Sequence, residues 1–328
     1  MLRSRIALLV PVLSLLVAAC DGANTSGGGG AGGSTATDPL PAPAEEEGTQ
    51  IAMETTVKSG EEAWRCKVSE LPFTSFTAVN HVESVQSEGM HHMDIMTLAF
   101  VNEDIAVGEY DCQELYDKYD ALMEDGVILY AAQQPKQEIL MPEGVVANLP
   151  GNMRIMQEIH YVNTSAEDKT VFSKVNVYVY PSENVEHQIW GGAVRDANLT
   201  IPPMAKHTEW SRCVMNKDVN LIFLASHTHR LGRKVTVRTF DGTSTGDEIY
   251  VNTDWETPQL KSFTDAPLFV PKGQGFEVTC DFQNDTPDEV HWGFAASDEM
   301  CQIGIVYFPG DLSSDCTIVE TSDGVLPN

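Results

Sequence analysis

From Ile51 onward, apolar and polar positions alternate in short runs that end at turn residues. Lys174-Val175-Asn176-Val177-Tyr178-Val179-Tyr180 alternates and ends at Pro181. Lys234-Val235-Thr236-Val237-Arg238-Thr239-Phe240 does the same and stops at Asp241-Gly242, a hairpin turn signal. Gln302 to Phe308 is an apolar run closed by Pro309-Gly310. A period of two puts successive side chains on opposite faces, so these segments predict strands. Helical spacing is convincing only at Cys112 to Met123, where Leu115, Tyr119 and Leu122 share a face. Turns at regular intervals predict an all-β chain of antiparallel sandwiches. The break at Pro181-Ser182-Glu183-Asn184 predicts a domain boundary after Tyr180, and no internal repeat has a fixed period.

The N-terminal 50 residues follow no such pattern. Arg3 and Arg5 form a basic start, and Ile6 to Ala19 form an apolar stretch of 14 residues. That is too short to span a bilayer and fits a signal-peptide core. It ends in Leu16-Val17-Ala18-Ala19-Cys20, which resembles the lipobox of bacterial lipoproteins, where the cysteine is acylated after cleavage. Gly27 to Gly30, Pro39, Pro41, Pro43 and Glu45-Glu46-Glu47 follow, with almost no large apolar residue. Such a segment cannot bury a core and reads as a flexible tether. The expected layout is a signal peptide over 1–20, a tether over 21–52, domains over 53–181 and 182–320, and a tail over 321–328. The chain is expected to be exported and lipid-anchored in the bacterial envelope.

The 328 residues carry a formal net charge of −28, and the mature chain is more acidic still, because only Arg3 and Arg5 leave with the signal. Nucleic-acid binding through phosphate contacts needs a basic face, which this balance excludes. Once Cys20 is assigned to lipid, six cysteines remain: Cys66, Cys112, Cys213, Cys280, Cys301 and Cys316. In an exported chain they read as three disulfides. Two domains favour pairing Cys66 with Cys112, and spacing leaves three arrangements for the other four.

Nine histidines are present, and His81, His187, His207 and His291 read as ordinary surface or hydrogen-bonded residues. His227 and His229 follow the apolar run Leu221 to Ala225, and positions i and i+2 of a strand face the same way. They can therefore chelate one ion. His91 and His92 would point to opposite faces unless the backbone distorts, and Gly89 just before them permits a bulge. His160, in Gln157-Glu158-Ile159-His160-Tyr161, lies on a predicted strand. Met300, beside Cys301, reads as a core methionine when taken alone. Joined to two imidazoles, its thioether would favour copper over zinc, calcium or magnesium.

Together these blocks resemble the copper type II, ascorbate-dependent monooxygenases, the family of peptidylglycine alpha-hydroxylating monooxygenase and dopamine beta-monooxygenase. The resemblance covers roughly residues 60 to 317. It rests on His91-His92-Met93, Ile159-His160-Tyr161, His227-Thr228-His229 and Asp298-Glu299-Met300-Cys301, in the family's order. It implies two antiparallel jelly-roll β-sandwich domains in tandem, with one copper on each and a solvent-filled cleft between them. His91, His92 and His160 would hold the electron-transfer copper, and His227, His229 and Met300 the copper that meets oxygen and substrate. The implied disulfides are Cys66–Cys112, Cys213–Cys316 and Cys280–Cys301, and Tyr307 is expected to line the substrate cleft. The implied reaction hydroxylates a C–H bond of a small organic substrate with O2 and ascorbate or a similar one-electron reductant. Peptide-processing members carry an arginine two residues before the His-x-His pair, whereas this chain has Ala225, which argues against a peptide carboxylate. The alternatives are a copper-binding envelope lipoprotein that keeps the fold without the chemistry, and a zinc hydrolase with Glu158 as general base.

Overall fold

The structure, a computed structural model, describes residues 38–119, 122, 127–132, 134–255, 258–293, 297–311 and 313–325. The signal segment, Cys20 and residues 21–37 lie outside the described residues, as does the side chain of His91. No described helix is long and apolar enough to cross a membrane.

Strand is the dominant regular structure among the described residues, with one short α-helix, and the named strands pair antiparallel with one exception. In the N-terminal domain one sheet runs Gly48–Val57, Lys169–Val179, Thr77–Gln86, Val145–Leu149, His187–Gln188, with Lys136–Leu140 also paired to Thr77–Gln86. Its partner runs Gly108–Asp111, Glu62–Glu70, Arg154–Val162, Met90–Thr97, Val127–Ala132. The facing sides meet in one apolar core that takes Ile51, Val79 and Val175 from the first sheet and Met93, Ile95, Ile155 and Ile159 from the second. In the C-terminal domain, Trp190–Arg195, Gln302–Phe308, Val219–His227 and Lys261–Ser262 form one sheet, with Leu268–Val270 also paired to Val219–His227. Thr245–Asn252, Gly232–Phe240, Gly275–Asn284, Ala205–Met215, Cys316–Thr321 and Gly324–Val325 form the other.

The alternating segments become strands at the expected places. Gln302–Phe308 is a strand with the predicted bounds, and the Asp241-Gly242 turn closes a hairpin. There Asp241 Oδ1 accepts from the amides of Thr243 and Ser244, and Gly242 takes φ +92°. The helix is shorter than its periodicity suggests. It spans Cys112–Lys118, capped by Asp111, with Leu115 and Leu122 buried.

Three boundaries move. The tether expected through residue 52 is too long: Leu40 is buried, its carbonyl accepts from Gln50, and Asp38 pairs with Lys174, so the chain is packed from residue 38. Its polar composition hides this, because the segment docks by hydrogen bonds rather than by an apolar stripe. The domain boundary is not at Pro181. His187–Gln188 still pairs with Val145–Leu149, and the C-terminal sheet starts at Trp190. The expected tail also pairs, since Gly324–Val325 lies against Cys316–Thr321.

The domains meet through the Gln302–Phe308 sheet, whose two faces are both covered. Ile303, Ile305 and Tyr307 belong to the C-terminal core, whereas Val306 and Phe308, with Ile222 and Phe223, join the N-terminal core. Along this sheet the two domains meet through packed apolar side chains rather than across a cleft. Tyr307 is 2% exposed and sits inside the C-terminal sandwich, so it does not line a cleft. Sequence could not separate the two faces of a run that is apolar throughout.

The structure contains the disulfides Cys66–Cys112, Cys213–Cys316 and Cys280–Cys301. These are the pairings implied by the resemblance. Cys66–Cys112 ties the short helix to the outer face of the Glu62–Glu70 sheet, over a small third core that holds Val68, Leu115 and Met156.

Candidate metal centres

The N-terminal histidines arise from strand register. Along Arg154–Val162, Ile155, Ile159 and Tyr161 enter the sandwich core, so Met156, Glu158 and His160 occupy the outer face. Across the sheet, His92 and Trp64 flank His160, Asp94 and Cys66 flank Glu158, and Met96 and Val68 flank Met156. The distortion expected at His91-His92 is present. Pairing to Arg154–Val162 slips between Met90 and His92, directly after Gly89 at φ +80°. His91 is the extra residue of this bulge. His92 and His160 end with ring centroids 5.2 Å apart.

Each ring is oriented by a carboxylate. His92 Nε2 donates to Glu158 Oε1 at 3.0 Å, and His160 Nε2 donates to Glu62 Oε1 at 2.5 Å. A proton held on Nε2 leaves Nδ1 as the nitrogen through which each ring can bind a metal. Glu158 is the buried anchor: Trp64 Nε1 also donates to Oε1 and the Tyr116 hydroxyl to Oε2, both at 2.6 Å. Burial alone would raise the Glu158 pKa, but the hydrogen bonds from His92, Tyr116 and Trp64 outweigh it and hold the carboxyl below its ordinary value. The same balance works on His92. Burial would lower it, and the bond to Glu158 with the charges of Asp94 and Glu158 raises it instead. Asp94, pushed up to about 7 by burial, adds a third carboxyl within ligand reach of His92 and Glu158.

Sequence reading missed this role for Glu158. Its position two residues before His160, on the same strand face, was the available signal. Both its oxygens are engaged by side-chain donors, so it cannot serve as the general base of a zinc hydrolase without losing them. Such carboxylate–histidine support fixes ligand orientation. Glu158→Gln is expected to weaken copper at this site by roughly 10–100-fold, with the C-terminal site unchanged. Copper titration of the folded variant checks this.

In the C-terminal domain His227 ends the strand Val219–His227 and His229 lies beyond it, so only the first of the pair is on a strand. Their rings nevertheless stand 5.2 Å apart, at 85° to each other. Glu299, fully buried, replaces the missing ladder. Its Oε2 accepts from the amides of His229 (2.9 Å) and Met300 (3.1 Å), and its Oε1 accepts from the Leu231 amide (2.6 Å). One oxygen therefore holds the backbones of His229 and Met300 side by side. His229 Nδ1 donates to the Asp298 carbonyl at 2.9 Å, which leaves the lone pair on Nε2. Met300 is 3% exposed, and the next residue is anchored by Cys280–Cys301. Gln302 pairs with His227, which brings this segment alongside the first histidine. Burial, then the neighbouring His229, lower the His227 pKa to about 4. The ring is neutral at physiological pH and free of the proton that would block a metal.

Two imidazoles and a buried thioether, on backbone held together by Glu299, offer a soft donor set that fits copper and poorly suits hard cations. Residues 190–323 match the family model described as copper type II ascorbate-dependent monooxygenase, C-terminal domain. That match covers the C-terminal part of the chain, which is similar to this family's C-terminal domain. The match begins where the structure starts the C-terminal sheet, at Trp190, and contains His227, His229 and Met300. No curated protein matches the chain. A solved structure of infectious bursal disease virus, Gx strain, is 10% identical, covers 84% of this chain and 76% of its own, and has a TM-score of 0.21. A subviral particle of the VP2 protein of that virus is 9% identical over 83% and 75%, with a TM-score of 0.17. Likeness at that level carries no weight for fold or function.

The remaining histidines make ordinary contacts. His81 meets Glu138, His207 meets Glu209, His291 lies near Glu289, and His187 stacks on Phe308. Ala225 is buried and offers no group to a substrate carboxylate.

Glu299→Gln retains size but turns an amide donor toward donating N–H groups. A lost acceptor of this kind costs about 1–3 kcal/mol. A lower melting temperature and weaker copper at the His227–His229 site are expected, with the N-terminal site kept.

Proposed function

We propose that this chain is a two-copper monooxygenase that converts a C–H bond of a small organic substrate to C–OH. One atom of O2 enters the product and the other leaves as water, with two electrons supplied by ascorbate or a similar one-electron reductant and two protons from solvent. The observation that carries this reading is the pair of unlike donor sets on separate domains, the second of them inside the region that matches the family model. One set is built from histidines on paired strands, the other from two histidines and a methionine clamped through Glu299.

His91, His92 and His160 are assigned to the first ion, and His227, His229 and Met300 to the second. Bound copper supplies one stored electron at each site and, at the second, a Cu(I) state able to meet O2. The chain supplies the rest. Glu158 and Glu62 fix the tautomers of His92 and His160, the Asp298 carbonyl fixes that of His229, and burial keeps His227 unprotonated. Met300 favours the reduced ion because its sulfur is soft. A storage protein needs neither two different donor sets nor a buried thioether, which weighs against the non-catalytic alternative. The protein is further proposed to be exported and held to a bacterial membrane by a lipid on Cys20.

Purified protein lacking its lipid is expected to bind two Cu(II) per chain and to consume O2 only when ascorbate is present. A stoichiometry of one, or a preference for zinc at both sites, would sink the two-copper reading.

A further inference from the structure

We propose that the N-terminal sandwich binds a small apolar molecule, a single aromatic ring or a short alkyl chain, in a cavity between its two sheets. The space measures about 110 Å³. Its wall includes Ile51, Ile95, Ile139, Ile155 and Val175, all buried, drawn from both sheets. Close-packed interiors contain few voids larger than a water molecule, so an opening of this size at the centre of the core is a departure to be explained.

Water is a poor occupant. An ordered water needs two to four polar partners, and the buried wall offers the Tyr130 hydroxyl, already paired with Ser84 Oγ at 2.7 Å. The other polar side chains on the wall, Asn148 and Trp190, are partly exposed, and Trp190 is the first residue of the C-terminal sheet. An apolar cavity of roughly 150 Å³ stays dry and takes up benzene or xenon; this one is of the same order. An apolar group would lie between the sheets, with any polar end turned toward the Asn148 and Trp190 side chains. Val79 and Val175, on the Thr77–Gln86 and Lys169–Val179 strands, belong to the sheet that carries no proposed copper ligand. The site can therefore be tested without touching the copper sites.

The probes are benzene and 1-octanol, titrated into the copper-loaded protein by calorimetry with thermal melting in parallel. Saturable binding at one site per chain and a raised melting temperature are expected. Val175→Phe, which places a ring in the cavity, should weaken both probes at least tenfold while the protein still binds two copper ions. Val79→Leu is the gentler filling variant if Val175→Phe does not fold. Absence of saturable binding to the parent protein, or undiminished binding by a folded filling variant, would overturn the proposal. Loss of copper stoichiometry in the parent would speak against the proposed enzyme and leave this cavity untouched.

Discussion

Met300→His is expected to keep copper at the second site while lowering ascorbate-driven O2 uptake by orders of magnitude. The backbone of residue 300 is held by Glu299 through its amide, so the substitution changes the donor atom and leaves its anchor in place. A third imidazole binds Cu(II) at least as well as a thioether does. It also shifts the balance away from Cu(I), the form that must meet O2. A methionine that only filled the core would give the opposite pattern. Burying an unpaired imidazole would cost about 1–3 kcal/mol and lower the melting temperature, with copper affinity unchanged. Copper titration, melting and O2 uptake on one variant separate these outcomes, and normal turnover in a folded Met300→His protein would remove Met300 from the ligand set.

His92→Ala and His160→Ala are each expected to abolish steady turnover and to leave copper on the His227–His229–Met300 set. The two sets stand on different sheets of different domains, so loss of one does not dismantle the other. The two variants should differ in stability. Without His92, the buried Glu158 loses one of its donors, whereas the Glu62 partner of His160 is 62% exposed and can turn to water. Hydrogen bonds to charged groups contribute about 1.5–3 kcal/mol, so His92→Ala should melt several degrees lower than His160→Ala. Equal emptying of both sites in either folded variant would show that the ligands have been divided wrongly.

Much of this protein is local and therefore legible. Alternation over 174–180 and 234–240 sets strands, because a period of two admits few other conformations, and the short apolar run 302–308, closed by Pro309-Gly310, reads as a buried strand. Asp241-Gly242 sets a hairpin for the same reason: aspartate caps the turn amides and glycine takes the positive φ. The distortion at His91-His92 was readable from Gly89, since a glycine in that place allows the extra residue of a bulge. Spacing alone left the C-terminal cysteines in three arrangements, and only resemblance to a family chose among them.

What long-range pairing decides was out of reach of those signals. That His160 stands between His92 and Trp64, with Glu158 one row below, depends on the register of three strands drawn from distant parts of the chain. Glu299 reads as one more acidic residue in an acidic sequence. Only the fold shows it buried and holding three amides that no strand ladder satisfies. The segment at residues 38–50 escapes composition because its polar groups bond to a strand over a hundred residues away, and the start of the C-terminal sheet at Trp190 escapes it because His187–Gln188 still pairs back to Val145–Leu149. Tyr307 shows the limit most directly. In a run apolar at nearly every position, the sequence specifies burial, and only the tertiary packing specifies which of two cores each side chain enters.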